Sequence, residues 1–69
     1  REFDKAIADC DAAMAANPLS PEPWGVRGMA KANKGDKAGA KADYRKALEL
    51  APANWVHRAL MEKLAKEVE

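Results

Sequence analysis

The sequence predicts an all-α fold, and three features of its 69 residues indicate this. Alanine is abundant, threonine does not occur and β-branched residues are few, which favours helices over strands. Apolar residues recur at the three- and four-residue spacing of a helix face. Prolines and the tripeptide Lys34-Gly35-Asp36 divide the chain into four expected helices, at about 2–16, 21–34, 36–50 and 54–68.

The first expected helix, 2–16, carries a stripe of apolar side chains on one side. Its members lie four, three and four residues apart: Phe3, Ile7, Cys10 and Met14. The intervening aspartates take polar positions. Pro18 cannot continue a helix, so we expect this helix to end just before it.

The second expected helix, 21–34, begins with signals that are typical of a helix start. Ser20 is a candidate N-cap, and Pro21 suits the first turn because its missing N–H group is not needed there. Gly25 and Gly28 each disfavour the helix by about 1 kcal/mol relative to alanine. We therefore expect both glycines to have a packing role.

A tight turn separates the second helix from the third, 36–50. Gly35 can adopt the left-handed conformation that closes a helix, and Asp36 can cap the next one. Pro52 predicts an end near Leu50. The third helix is expected to turn these charged residues toward water: Lys41, Asp43, Arg45, Lys46 and Glu49.

The last expected helix is amphipathic, with Asn54 as its candidate N-cap. Its apolar face is formed by Val56, Leu60, Leu64 and Val68, at four-residue spacing. His57 is expected to be solvated in its first turn. Metal binding would need more ligands than this sole histidine, and no HExxH or CxxC motif is present.

Residues 21–54 resemble the tetratricopeptide repeat, a helix hairpin of 34 residues. The marker positions of that repeat are occupied by Trp24, Gly28, Ala40, Tyr44 and Pro52. The glycine is expected to lie against alanines of the partner helix, while the two aromatics fill the rim. Two positions depart from the pattern, because Arg27 and Lys31 stand where apolar residues are expected; we expect their stems to pack and their charges to reach water.

The resemblance implies a right-handed solenoid of antiparallel helix hairpins. A shift of 34 residues aligns Ala6 with Ala40 and Pro18 with Pro52. Residues 1–20 are thus expected to be the second helix of an incomplete repeat, and 55–69 a C-terminal capping helix. We expect one domain, 1–69, and a fragment of a longer array.

The resemblance also implies a function, a scaffold that binds a peptide segment of a partner protein on a concave helical surface. The candidate binding residues are Glu22, Met29, Asn33 and Lys63, with Val56, Ala59 and Lys66 as further concave positions on the last helix. The alternative is a structural role, in which the segment ends an array or associates with itself. Candidates for self-association are Phe3, Ile7, Cys10 and Met14.

Chaperone adaptors of this family hold a terminal carboxylate with Lys, Asn and Arg side chains. Here the corresponding Lys and Asn positions are Gly25 and Met29, and the second Asn position is Val26, so no chaperone-tail clamp is expected. A basic stretch at 31–46 could bind an acidic partner, but solvated helix faces explain most charge runs of this kind.

Other functional classes find little support in the sequence. Carboxylates lack a nucleophile or base at an interpretable spacing, so we expect no catalysis and no cofactor. A net charge of +1 and the lack of a long apolar run predict neither nucleic-acid nor membrane binding. Cys10 cannot form an intramolecular disulfide and is expected to be a buried apolar side chain, which leaves the compartment open, with the cytoplasm favoured.

Overall fold

Four helices and no strand are found in the computed structural model, which describes residues 2–67. The helices are α1 (Glu2–Ala16), α2 (Pro21–Asn33), α3 (Lys37–Leu50) and α4 (Arg58–Glu67). Helix α2 packs against α1 on one side and α3 on the other, and α4 packs against α3. The all-α prediction is confirmed. The expected apolar position Val68 lies outside the described residues.

The hairpin of α2 and α3 is closed by the turn chemistry that the sequence predicts. Gly35 has a φ of 95°, in the left-handed region, and the Asp36 N–H donates to the Lys31 carbonyl at 2.8 Å. Together with the Gly35 N–H bond to Ala32 at 3.0 Å, this is a Schellman closure of α2. The Asp36 carboxylate then accepts a hydrogen bond from the Gly39 N–H at 2.9 Å and caps α3.

The two helices of the hairpin approach most closely at Gly28. A Cβ atom placed there would lie 2.6 Å from Cε1 of Tyr44 and 3.2 Å from the Ala40 carbonyl oxygen. Ala40 and Ala47 are completely buried and Tyr44 is 1% exposed. The expected close contact is therefore present, but Tyr44 is not at the rim: its ring covers Gly28 in the centre of the core.

Asp43 was expected to face water, and this expectation is wrong. The residue is only 3% exposed, because its carboxylate accepts two hydrogen bonds from the Arg27 guanidinium, at 2.8 and 2.9 Å. Lys31 lies 3.5 Å from the same carboxylate. Such a bidentate pair satisfies a charge that would otherwise be costly to bury.

Arg27 also departs from its predicted role. Its guanidinium is held by other side chains and is not simply solvated. Besides binding Asp43, it donates a hydrogen bond to Asp11 of α1 at 2.7 Å, and it lies 5.0 Å from the centre of the Trp24 ring. The hydrogen bond to Asp43 is the main cause that raises the pKa of Arg27 above its ordinary value. One side chain on α2 thus joins α1 to α3.

A second ion pair between α1 and α2 joins Asp4, in the first turn of α1, to Lys34, the C-cap of α2. With the Arg27–Asp11 pair it fixes the antiparallel register of the two helices. In the described part of the chain, the cations of the basic stretch at 31–46 that pair with acidic side chains include Lys31, Lys34 and Lys46. These pairings reduce the charge that the stretch can offer to an acidic partner.

Helix α4 begins at Arg58, four residues later than predicted, and Asn54 does not cap it. Two successive turns precede the helix, closed by hydrogen bonds from Trp55 N–H to Pro52 and from Arg58 N–H to Trp55, both 3.1 Å. The Arg58 guanidinium then donates to the carbonyls of Leu48 and Ala51, at 3.2 and 3.4 Å. These carbonyls at the end of α3 lack helical partners, so α4 starts where its arginine can reach them.

The later start also changes the face of α4 that packs on the core. Met61 is 2% exposed, and Leu64 and Ala65 pack against the same buried cluster. Val56, which was expected on the apolar face, lies in the turn and is 84% exposed. The core of the described chain therefore joins α3 and α4 through Met61, Leu64 and Ala65.

Candidate functional site

A groove runs along α2, between α1 and the segment 55–67. Its larger hollow, with a volume of about 380 Å³, lies between α1, α2 and the segment 55–61. The lining residues on α1 and α2 are Asp9, Cys10, Ala13, Glu22, Pro23, Gly25, Val26 and Met29. The segment after α3 contributes Trp55, His57, Leu60 and Met61. The volume is within the range of pockets that hold small ligands or a few anchoring side chains.

The floor of the groove forms where α2 and α4 approach each other. A Cβ atom on Gly25 would lie 2.8 Å from the Met61 sulfur, so the glycine leaves the space that Met61 occupies. Val26 and Leu60, at the two sides of this contact, are 42% and 44% exposed. Apolar side chains thus face solvent along the groove although Met61 itself is buried.

Charged groups at the edge of the larger hollow are carboxylates and one imidazole. Asp9 and Glu22 are both exposed. His57 Nε2 lies 4.0 Å from a Glu22 carboxylate oxygen, and its ring packs edge-on against Trp55 with centroids 5.4 Å apart. Among the described residues that line this hollow there is no lysine and no arginine.

A smaller hollow of about 280 Å³ continues the groove toward the end of α2. It is lined by Met29, Ala32, Asn33, Tyr44, Leu64 and Glu67. Burial is the main cause that raises the pKa of Tyr44, so its hydroxyl stays neutral. Because Met29 lines both hollows, it connects them into one surface along α2.

The structure brings together three of the four predicted binding residues. Glu22 and Met29 line the larger hollow, and Met29 and Asn33 line the smaller one. Lys63 is exposed and lines neither hollow. The further expected positions on the last helix, Val56, Ala59 and Lys66, do not line the hollows either.

The sequence reasoning missed the residues that the 55–67 segment supplies to the groove. Leu60 and Leu64 lie one position beyond the expected Ala59 and Lys63. The expected positions on the last helix lie 34 residues after the corresponding positions on α2. The turns before Arg58 alter the register of α4, so this offset does not identify the residues that line the groove. The unusual glycine at Gly25 signalled a close approach, without showing that Met61 would be its partner.

The candidate residues for self-association are divided by the structure. Cys10 and Met14 are buried, at 7% and 8% exposed, while Ile7 is half-buried and Phe3 is 41% exposed. Burial is the main cause that raises the pKa of the Cys10 thiol. A thiol in this state is a weak nucleophile at neutral pH, although it forms part of the groove wall.

Within residues 2–67, no group of three or more His, Cys, Asp and Glu side chains is arranged to hold a metal ion. In the same part of the chain, no helix has the length and apolar character that a membrane crossing requires.

Comparison with known proteins adds independent information. Residues 21–54 match the family described as tetratricopeptide repeat. The chain is 33% identical over 69 residues to RNA polymerase II-associated protein 3 of Xenopus tropicalis, of which it spans 10%. Over 48 residues, 70% of this chain, it is 46% identical to cellulose synthase operon protein C of Escherichia coli K12, of which it covers 4%. No solved structure matches the chain significantly.

The matched residues are those of the hairpin formed by α2 and α3, whose contact at Gly28 and turn at Gly35 were described above. Tetratricopeptide repeats generally mediate protein–protein interaction and are not catalytic units themselves. The chain contains a tetratricopeptide repeat, which is formed by α2 and α3.

Proposed function

We propose that this chain is a protein-interaction module that binds an apolar segment of a partner protein in the groove along α2. The observation that carries the proposal is the connection of the two hollows through Met29. A surface of this kind can accept successive side chains of one peptide. Glu22 and Asn33, at the two ends of α2, are the polar groups that would fix its orientation.

The exposure of the groove supports binding rather than structural packing. Val26 and Leu60 are each more than 40% exposed, and a ligand that covered them would remove apolar surface from water. The close contact of Gly25 with Met61 preforms the floor, so little ordering is needed when a ligand binds.

The test begins with a library of random peptides displayed on phage and selected on the immobilised chain. Selected peptides should shift the backbone amide signals of Val26 and Met29 in NMR spectra. The Val26→Glu variant should weaken these peptides at least tenfold, because it places a carboxylate in the apolar groove. Ala42→Glu is the matched control, since it adds the same group on the exposed side of α3 and should not change binding.

Both variants should keep the far-UV circular dichroism spectrum of the parent chain, which separates loss of binding from loss of folding. Peptides that bind the Val26→Glu and Ala42→Glu variants equally well would contradict the groove as the binding site.

The helices outside the matched repeat have proposed places in the array. Helix α1 packs on α2, as expected for the second helix of a preceding repeat, and α4 packs on α3, as expected for a helix that follows. Crosslinking between α1 and α2 in a longer natural chain would test this arrangement.

Self-association is the second candidate function, and the 41% exposure of Phe3 on α1 favours it. A second copy could cover this aromatic ring together with half-buried Ile7. Sedimentation equilibrium should then show a dimer that Phe3→Asp converts to a monomer. A chain that is monomeric at millimolar concentration would rule this function out.

A further inference from the structure

We propose that the groove selects basic segments: its ligand is an apolar peptide that carries lysine or arginine beside its anchoring side chains. This inference rests on the proposed function and names the chemistry of the partner. It follows from the distribution of charge around the two hollows. The described lining residues that carry a formal charge are Asp9, Glu22 and Glu67, all of which are carboxylates.

This negative character does not follow from the overall charge, because the chain has a net charge of +1. No lysine or arginine among the described residues lines either hollow. Arg27 binds Asp43 of α3 and Asp11 of α1, and Lys34 pairs with Asp4 near the start of α1. The fold thus separates a groove edged with carboxylates from the paired cations.

The carboxylates are spaced so that one ligand can meet two of them. The ion pairs Lys34–Asp4 and Arg27–Asp11 show the antiparallel register of α1 on α2, which puts Asp9 at the level of Met29 along the two helices. Both residues line the larger hollow. Glu22 lies seven residues before Met29, which is about 10 Å along a helix. A peptide that anchors an apolar side chain at Met29 can therefore place one cation near Asp9 and another near Glu22.

Both carboxylates remain accessible for such contacts. The Glu22 side chain is 68% exposed, and the His57 imidazole, which carries a charge only when it is protonated, lies 4.0 Å from its carboxylate. An acidic peptide would meet like charges at the same places and would be disfavoured.

The probes are two synthetic helical peptides with leucine at the same positions, one with lysine and the other with glutamate at the polar positions. Each is titrated into the 15N-labelled chain at pH 8, in about 0.05 M and about 0.5 M NaCl. Exposed charge pairs contribute about twofold each. Replacing two repulsive pairs by two attractive ones gives four such factors and predicts a preference on the order of tenfold for the lysine peptide. High salt should remove most of this preference.

The Asp9→Lys/Glu22→Lys variant should reverse the preference in favour of the glutamate peptide. The matched control is Glu2→Lys/Glu49→Lys, which changes the net charge equally but lies outside both hollows and should keep the preference for lysine. Binding of both peptides should be weakened by Val26→Glu.

Each contrary outcome has its own meaning. If both peptides bind equally and both are weakened by Val26→Glu, the groove binds apolar segments and the inference about basic ligands is overturned. If neither peptide shifts the amide signals of Val26 and Met29, the proposed function fails as well. If these signals shift with protein concentration alone, the occupant is a second copy of the chain and the inference is wrong.

Discussion

Replacing Gly28 by alanine should destabilise the chain, although alanine favours a helix. On helix propensity alone, Gly28→Ala in the middle of α2 would stabilise by about 1 kcal/mol. The added methyl group, however, would lie 2.6 and 2.8 Å from two carbons of the Tyr44 ring. Carbon atoms prefer a separation of about 3.5–4.0 Å, so the ring or the helix must move by about 1 Å.

The surroundings of Gly28 leave little room for that movement. Tyr44 is 1% exposed, Ala40 and Ala47 are completely buried, and the Ala40 carbonyl oxygen lies 3.2 Å from the new atom. Overpacking of this kind typically costs about 1–3 kcal/mol. Because the surroundings leave little room, we take the upper part of that range, about 2–3 kcal/mol. After the propensity gain of about 1 kcal/mol is subtracted, we expect a loss of about 1–2 kcal/mol, which lowers the Tm of a domain of this size by roughly 5–15 °C.

Gly25→Ala is the matched control on the same helix. Its methyl group would also be close to a neighbour, at 2.8 Å, but that neighbour is the sulfur of the unbranched Met61 side chain. Such a side chain can change its rotamer to make room. The propensity gain and the packing cost should then nearly cancel, and Gly25→Ala should change stability by less than Gly28→Ala.

Urea denaturation followed by circular dichroism measures both variants. A double-mutant cycle with Tyr44→Leu adds a direct test, because Gly28→Ala should cost less when the aromatic ring is gone. A Gly28→Ala variant as stable as the parent chain, or less damaging than Gly25→Ala, would refute the argument that the Gly28–Tyr44 contact holds the hairpin together.

Three further predictions concern the polar groups. Arg27→Met should lower the free energy of unfolding by about 2–4 kcal/mol in urea titrations, because the buried Asp43 carboxylate then lacks its arginine partner. The double variant Arg27→Met/Asp43→Leu should recover most of the loss, and equal stability of the single and double variants would contradict this. Asp36→Ala should cost about 1 kcal/mol through loss of the N-cap of α3, and a chain that melts at the parent temperature would show that the cap is not needed. Lys34 lowers the pKa of Asp4 below its ordinary 3.8, first through a hydrogen bond and then through its charge, so Asp4 stabilises the fold above that pH and the effect is lost as the pH falls further. Asp4→Asn should therefore lower the Tm at pH 6 but not near pH 2, and a pH-independent difference would exclude this linkage.

Predictions from the sequence succeeded where one residue determines its own backbone. Gly35 adopts a positive φ, Asp36 caps α3, and Ala51 before Pro52 is extended, as their types require. The Ser20 side chain, by contrast, makes no capping hydrogen bond although the residue occupies the N-cap position of α2. The start of α2 is set by Pro21, whose fixed φ suits the first helical position. This effect does not need a hydrogen bond from the serine hydroxyl.

The proposed binding surface could be predicted only in part. Glu22, Met29 and Asn33 were expected from the resemblance to the repeat family, and they line the groove because they lie on one regular helix. On α4 the same reasoning failed, since its start depends on turns and on Arg58, which bonds to the end of α3. Each residue of offset between the expected and the observed register turns the side chain by about 100° around the helix axis. The one-residue offset therefore places Leu60 in the groove instead of Ala59.

The sequence by itself determined α1 to α3, the breaks between them and the close approach at Gly28, because these depend on local conformational preference and on residue size. Only the tertiary structure decided where α4 begins, that Asp43 is buried and that carboxylates edge the groove. Asp43 is placed by Arg27, sixteen residues away, and the groove is formed by side chains from four separate segments. Pairings between distant residues leave no periodic signal along the chain, so they become visible only when the helices are packed.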